Sequence, residues 1–429
     1  LRRLRLVPCA RDTRGQFVRD DLPSGLRLRF ARAVAKVSPP QAAQSIANAI
    51  RAGIDPSDGE LLVRAATAVL ADKTGVQQLT RNLNETQPSA DAAKLLLRAL
   101  FAANVNSGPL VEKLSSAAGI GDATKPMTDD QRKALIKRID AQGDPHRGQW
   151  IYRRKELNCI QCHAISGAGG NVGPDMSGIG VTSPTEYLLE SILAPSAVIK
   201  EAYLTLQVLT SDGVVIRGVK VDRDDQRLIL RDENGREIVI PEDEIEQEAE
   251  GKSLMPEGQH HLLTEDELVD LVAFLSALGK PGDFVVNSRP TINRYRALTN
   301  EKWISDLIAM PEGKLEGELT NIPADAWSDA YALVDGTLPA NALPTSKLIV
   351  LRGEVDVVVA GKLGVSATSQ TNVQVVVNGK SLNGNGKEYV ELPVGKHAIH
   401  IVIEDPTKVE TLVTELTKPD ESTVQFTIK

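Results

Sequence analysis

Cysteine is scarce in this chain, with three cysteines among 429 residues, too few for a disulfide framework. Aromatic residues make up only 3% of the sequence. No run of about 18 apolar residues exists to span a bilayer, so no transmembrane segment is expected. The formal net charge of -8 argues against nucleic acid as a partner, because phosphate binding needs a basic face. The length predicts about three globular domains.

Two of the three cysteines lie in the pentapeptide Cys159-Ile-Gln-Cys162-His163. Two cysteines separated by two residues and followed by histidine are typical of a c-type haem attachment site. Each thiol adds to a haem vinyl group to form a thioether, and the histidine becomes an iron ligand. A zinc site would need a second pair of ligands, and a redox dithiol does not need the histidine. The motif therefore predicts one covalent haem c.

Covalent haem attachment takes place outside the cytoplasm, so the motif predicts an exported protein, periplasmic or at the cell surface. No positively charged stretch leading into an apolar core is visible after Leu1. We therefore expect a mature or clipped chain, or the C-terminal part of a larger protein. The remaining cysteine, Cys9, is expected to be a free thiol.

Hydrophobic periodicity changes several times along the chain. Residues 1–142 show apolar positions at helical spacing, broken at prolines, and resemble HEAT-type helical repeats. Residues 143–281 contain the haem motif and predict helices interrupted, at about 203–245, by four strands of an antiparallel insertion. Residues 282–344 predict a mixed linker. Seven or so alternating strands over 345–429 predict an antiparallel sandwich or jelly roll.

A second protein ligand to the iron would favour electron transfer over reaction with small molecules. Met255 follows the strand insertion and precedes the last helix of its region, so its loop can cross to the distal side of a haem. Met176 is the alternative, although we expect it to pack against the macrocycle. His260 and His261 could also bind iron, but their position just before a helix cap favours a solvent-facing location.

Residues 144–280 contain a series of motifs in a fixed order. They are Gly148-x-x-x-Tyr152, Cys159-Ile-Gln-Cys162-His163, Gly173-Pro174-Asp175-Met176-x-Gly178, Leu254-Met255-Pro256 and Asp270-Leu271-Val272-Ala273-Phe274-Leu275. This order of motifs resembles a class I cytochrome c. With its strand insertion, this segment is similar to the haem-binding domain of large planctomycete and verrucomicrobial proteins. In that family helical repeats precede the domain, and a dehydrogenase-like β-propeller often lies further upstream.

The resemblance implies a role for several of these residues. Pro174 would offer its carbonyl to the second ring nitrogen of His163, and Met255 would supply the other axial ligand. Gly148 would let the first helix of the domain cross the last one closely. The implied fold class is multidomain α+β, with a helical repeat, an all-α cytochrome c domain carrying an antiparallel β insertion, and a C-terminal β-sandwich.

The leading expectation is a c-type cytochrome that transfers single electrons between a redox-protein donor and acceptor, as the electron-transfer part of a larger dehydrogenase system. It is expected to be an electron-transfer protein more than an enzyme on its own, and a homo- or hetero-oligomer stays open. A haem peroxidase or oxidase with an open sixth position is one alternative. A binding module with an accessory haem is another, because the strand and turn pattern of residues 373–380 and 392–397 resembles PA14-like sandwiches, some of which bind carbohydrate.

Overall fold

The structure of the chain is a computed structural model that describes residues 22–120, 127–286, 289–311 and 314–428. Cys9 lies outside these ranges. Within them the chain is mixed α+β, with fourteen α-helices and four antiparallel sheets. No helix in the described ranges is long and apolar enough to cross a membrane.

The chain forms two compact units, and each draws on more than one stretch of sequence. The first unit comprises the residues up to Gly143 together with Ile192–Ala194 and Glu257–Asp270. The second comprises Asp144–Ser191, Pro195–Pro256 and the residues from Leu271 onward. The haem motif and the C-terminal sheets therefore belong to the same unit.

The first unit is built mainly from seven helices of similar length. They are α1 (Ser24–Val34), α2 (Pro39–Ala52), α3 (Gly59–Leu70), α4 (Lys73–Glu85), α5 (Ala90–Ala102), α6 (Gly108–Ala117) and α7 (Asp129–Gln142). Proline starts α2 at its first position, where the missing N–H costs nothing. Each helix from α1 to α3 packs against the next and against the next but one. Their apolar stripes form one buried core that includes Leu28, Ile46, Leu62 and Leu96. The resemblance to HEAT repeats stays a prediction.

The haem-motif segment of the second unit consists of short elements. They are α8 (Pro145–Tyr152), α9 (Cys159–Cys162), β1 (His163–Ile165), β2 (Ala168–Asn171), α10 (Ile179–Thr182) and α11 (Thr185–Leu193). Asp144 caps α8 by accepting the backbone N–H groups of His146 and Arg147 at 2.9 and 3.2 Å. After an inserted sheet, the second unit resumes with the part of α12 (Glu265–Ala277) from Leu271 onward.

The inserted sheet has five strands, one more than the sequence predicts. They are β3 (Thr205–Thr210), β4 (Val215–Arg223), β5 (Arg227–Arg231), β6 (Glu237–Pro241) and β7 (Ile245–Gly251), in the order β6-β5-β4-β3-β7. The insertion therefore extends to Gly251 and not to about 245. Strand β7 was missed because its glutamate-rich sequence has no apolar alternation, and its side chains are mostly exposed. It is a strand only because its backbone pairs with β3.

The C-terminal part of the unit contains two antiparallel sheets and two more helices. The elements are β8 (Arg294–Leu298), α13 (Glu301–Ile308), α14 (Leu315–Glu318), β9 (Trp327–Tyr331), β10 (Leu338–Pro339), β11 (Ile349–Val359), β12 (Gly361–Ser369), β13 (Gln374–Val377), β14 (Lys380–Leu382), β15 (Asn385–Leu392), β16 (Gly395–Ile403), β17 (Thr411–Thr417) and β18 (Gln425–Ile428). Seven strands form one sheet, in the order β14-β13-β16-β11-β8-β9 with β18 on β11, and β10-β17-β12-β15 form the other.

The linker expected over residues 282–344 needs correction. Strands β8, β9 and β10 all come from this range and belong to the two sheets. They are short, and prolines and polar residues separate them, so the local pattern does not distinguish them from a loop. Strand β8 pairs with β11, β9 pairs with β8, and β10 pairs with β17, and this pairing across long stretches of sequence makes them strands. The sheet domain therefore begins well before residue 345.

The two C-terminal sheets share one hydrophobic core. Leu363 of β12 and Leu412 of β17 belong to the same buried cluster as Leu351 of β11 and Ile401 of β16. The opposite face of the seven-stranded sheet is covered by α13, whose Leu307 lies in a second buried cluster. Alternate residues of β11 and β16 therefore point into different cores, as the period of a strand requires.

His397 and His400 on β16 point to opposite faces, as their odd separation predicts. His397 is half-buried and contacts Asn378 and the carbonyl of Pro393. His400 is only 1% exposed and lies beside Trp327, with 6.1 Å between ring centroids. Burial, with the nearby Arg352 guanidinium, lowers the pKa of His400 from 6.5 to about 4.

This burial predicts a dependence of stability on pH. Between pH 6.5 and about 4 the unfolded chain binds a proton at His400 that the folded chain does not bind. The free energy of unfolding should therefore fall as the pH falls through this window, by up to about 1.4 kcal/mol per pH unit for one histidine. Denaturant titrations at several pH values would measure the slope. The slope should become smaller in His400→Phe; a slope equal to that of the unaltered protein would contradict the assignment.

Candidate functional site

The two cysteines of the motif lie within a single turn of helix. Asn158 precedes the turn with a left-handed backbone (φ 55°), a conformation that asparagine tolerates better than most residues, and its carbonyl accepts the N–H of Gln161. Helix α9 then spans Cys159–Cys162, so the two thiols are three residues apart and point to the same side. Both are free thiols.

The environment of the thiols keeps them protonated. Burial raises the pKa of Cys159 to about 12, and its Sγ–H donates to the carbonyl of Leu157 at 3.7 Å. Burial and then the carboxylate of Glu233 raise the pKa of Cys162. A redox-active or metal-binding cysteine needs the thiolate, which a lowered pKa favours. The observed environment is therefore unlike that of a redox dithiol.

His163 ends the helical turn, and its ring is held by the backbone that returns after the glycine-rich stretch. Its Nδ1 lies 2.9 Å from the carbonyl oxygen of Pro174. Because a carbonyl can only accept, Nδ1 carries the proton and Nε2 keeps a free lone pair. Burial lowers the pKa of His163, which favours the neutral ring that a metal ion requires. The carbonyl of His163 accepts the hydroxyl of Tyr152 at 2.7 Å.

The glycine-rich stretch lies against this histidine. A β-carbon on Gly173 would stand 2.6 Å from Nδ1 of His163, so no larger residue fits there without displacing the ring. Backbone bonds from Gly173 to Cys162 and from Met176 to Ala164, both 2.8 Å, hold the returning chain beside the motif. The glycines therefore allow close approach of backbone to His163, in addition to any room that they leave for a flat ligand.

Helices α8 and α10 each contact α12. The rings of Tyr152 and Phe274 lie 5.7 Å apart and connect α8 with α12. A close approach occurs at Gly180 of α10, where a β-carbon would lie 2.8 Å from the carbonyl oxygen of Leu275. Sequence reasoning assigned such a role to Gly148, which is buried in α8. That role stays a prediction, and Gly180 was missed.

The structure brings Cys159, Cys162, His163 and Pro174 together, while Met255 lies on a separate loop after β7. Met255 is half-buried, and its N–H donates to Oγ of Ser253 at 3.1 Å. This bond orders the loop but does not bring the thioether to His163. Ligation of iron by Met255 therefore stays a prediction.

The rival ligands differ in their surroundings. Met176 is half-buried in the segment that returns past His163, and it stays an alternative ligand. His260 and His261 are also half-buried, with ring centroids 4.0 Å apart, so the expectation that they face solvent is wrong. Burial, followed by the charges of His261 and Lys94, lowers the pKa of His260 to about 4. Both histidines belong to the first compact unit, whereas the motif belongs to the second.

Three polar side chains join the motif segment to the C-terminal sheets, and sequence reasoning missed all of them. The side-chain oxygen of Gln149 accepts the buried N–H of Val334 at 3.0 Å. Arg153 donates to the carbonyls of Tyr331, at 3.0 Å, and Ala332, and burial lowers its pKa to about 10. Asn293 donates to the carbonyl of Ser166 at 2.8 Å. Each pair is more than 120 residues apart, so no local pattern signals it.

No model of a known protein family and no curated protein matches the chain. The resemblance to class I cytochromes c, which comes from the ordered motifs of the sequence, stays a prediction. In the described ranges no group of three or more His, Cys, Asp or Glu side chains could hold a metal ion. A haem iron needs no such group, because the porphyrin supplies four of its ligands.

The bond between Gln149 and Val334 predicts a specific loss of stability. In Gln149→Ala the buried N–H of Val334 loses its acceptor, which should lower the free energy of unfolding by roughly 1–3 kcal/mol. Chemical denaturation would measure the loss. Gln142→Ala makes the same change at an exposed position near the end of α7 and should have little effect. Equal losses in the two variants would show that the buried bond contributes nothing.

Proposed function

We propose that this chain is a c-type cytochrome that transfers single electrons through one covalently bound haem, with His163 and Met255 as axial ligands. The observation that carries the proposal is the hydrogen bond between Nδ1 of His163 and the carbonyl of Pro174, directly beside the two cysteines. That bond leaves Nε2 free to bind a metal ion, and it raises the basicity of the ring.

The residues present suit a haem in three further respects. Cys159 and Cys162 lie on one helical turn and are protonated, so each S–H is available to add across a vinyl double bond, with its proton passing to carbon. Gly173 keeps the returning backbone against His163 without a side chain in the way. The hydroxyl of Tyr152 donates a hydrogen bond to the carbonyl of His163 and so helps to fix its backbone. When bound, the haem supplies one-electron oxidation and reduction at its iron.

The proposal extends to location and partners. Haem attachment outside the cytoplasm implies an exported protein, in the periplasm or at the cell surface. A one-electron carrier needs a donor and an acceptor, and we propose redox proteins for both, with this chain as the electron-transfer part of a larger dehydrogenase system. The contacts of Gln149, Arg153 and Asn293 support a structural role for the C-terminal sheets beside the haem segment.

The first test is the optical spectrum of protein produced in a periplasm that contains haem-attachment machinery. Reduction should give the narrow bands of a low-spin haem c, and the colour should remain with the protein after acidic organic extraction. The double variant Cys159→Ala and Cys162→Ala should lose its colour on extraction, whereas Cys9→Ala should keep it. A colourless protein would overturn the proposal. A high-spin ferrous protein that binds carbon monoxide rapidly would favour the peroxidase or oxidase alternative.

The second test addresses the axial ligand. Met255→His should remain folded but show a markedly lower reduction potential, because a thioether favours ferrous iron more than an imidazole does. Potentiometric titration would measure the shift, with Met176→His as the matched comparison. An unchanged potential in Met255→His would remove Met255 from the ligand role, and a shift confined to Met176→His would transfer that role to Met176.

A further inference from the structure

We infer that Thr205 and Arg217 of the inserted sheet are positioning residues for the Met255 loop, residues 252–256. The inference rests on the proposed function, because it concerns how this chain presents Met255 to the iron. It assigns the insertion a purpose that the motifs alone do not suggest: the sheet holds the backbone from which the second ligand projects.

The first contact comes from β3. The hydroxyl of Thr205 is completely buried and donates to the carbonyl of Lys252 at 2.7 Å. Thr205 also pairs with Gly251, the last residue of β7. A β-carbon on Gly251 would collide with the threonine hydroxyl, so glycine is needed for this close approach. The loop therefore leaves the sheet at a fixed point.

The second contact comes from β4. One terminal nitrogen of Arg217 donates to the carbonyl of Lys252 at 3.0 Å and to that of Ser253 at 2.8 Å. Hydrogen bonds from a charged donor are stronger than those between neutral groups. The carbonyl of Lys252 thus accepts from both strands, and the guanidinium joins it to the next residue along the loop.

The third contact lies within the loop and fixes the backbone of Met255. The hydroxyl of Ser253 accepts the N–H of Met255 at 3.1 Å. A continuous series of bonds therefore runs from two strands of the sheet, through two successive carbonyls and one hydroxyl, to the backbone of Met255. None of these contacts involves the flexible methionine side chain.

A thioether sulfur on a flexible side chain is a demanding ligand to position. Any conformational freedom that the loop backbone has before the sulfur binds iron must be lost on binding, and this loss costs free energy. A loop that is already ordered loses less conformational freedom on binding, so the sulfur of Met255 should be bound to the iron for a larger fraction of time. Thr205 and Arg217 would act on the iron only through Met255. They would therefore be neither iron ligands nor residues that merely stabilise the sheet.

The experiment uses the haem protein and its double variant, which carries both Thr205→Val and Arg217→Met. Two control variants have substitutions elsewhere on the same sheet. Thr210→Val removes a hydroxyl of β3 that serves the turn near Val214, and Arg227→Met removes an exposed charge of β5 paired with Asp224. The readouts are the methionine-to-ferric charge-transfer band, the rate of carbon monoxide binding by ferrous protein, and hydrogen exchange of the Met255 amide.

In the double variant the band should lose most of its intensity, carbon monoxide binding should accelerate severalfold, and the Met255 amide should exchange faster. Covalent haem should remain, and both controls should behave like the unaltered protein. Thr205→Ser keeps the hydroxyl and should retain the band, and the single variants serve if the double variant does not fold. An unchanged band and exchange rate in the variants would overturn the inference alone. A missing band in the unaltered protein would overturn methionine ligation itself, and the inference with it.

Discussion

The bond between the ring of His163 and the carbonyl of Pro174 is the contact on which the rest of the site depends. It fixes one nitrogen as a donor and leaves the other free, so the histidine becomes a potential metal ligand. It also requires the chain to return close to the motif, which only glycine at position 173 allows. The local pentapeptide and the distant proline thus form one arrangement. Burial raises the pKa of both thiols, which fits the same chemistry, since addition to a vinyl group does not need a redox-active pair.

The C-terminal sheets belong to the same compact unit as this arrangement. The contacts of Gln149 with Val334 and of Arg153 with Tyr331, the last residue of β9, hold α8, the helix that leads into the motif. Asn293 donates to the carbonyl of Ser166, in the turn that follows the motif. The C-terminal sheets and the segments beside them therefore contact the chain both before and after the motif.

Local signals account for much of what the sequence predicts correctly. Asp144 and Pro145 start α8 because the cap and the fixed backbone angle act within four residues. The odd spacing of His397 and His400 places them on opposite faces for a purely geometric reason. Strand β7 and strands β8 to β10 could not be predicted in this way, because pairing with distant strands determines them. The partners of Gln149, Arg153 and Thr205 were missed for the same reason. Ligation of iron by Met255 rests on sequence order alone.

The proposed function requires that Cys159 and Cys162 bind a haem covalently. The most direct measurement is the intact mass of the denatured chain after production in a periplasm that contains haem-attachment machinery. We expect the mass of the polypeptide plus one haem, retained after complete unfolding. A mass equal to that of the polypeptide alone would contradict it.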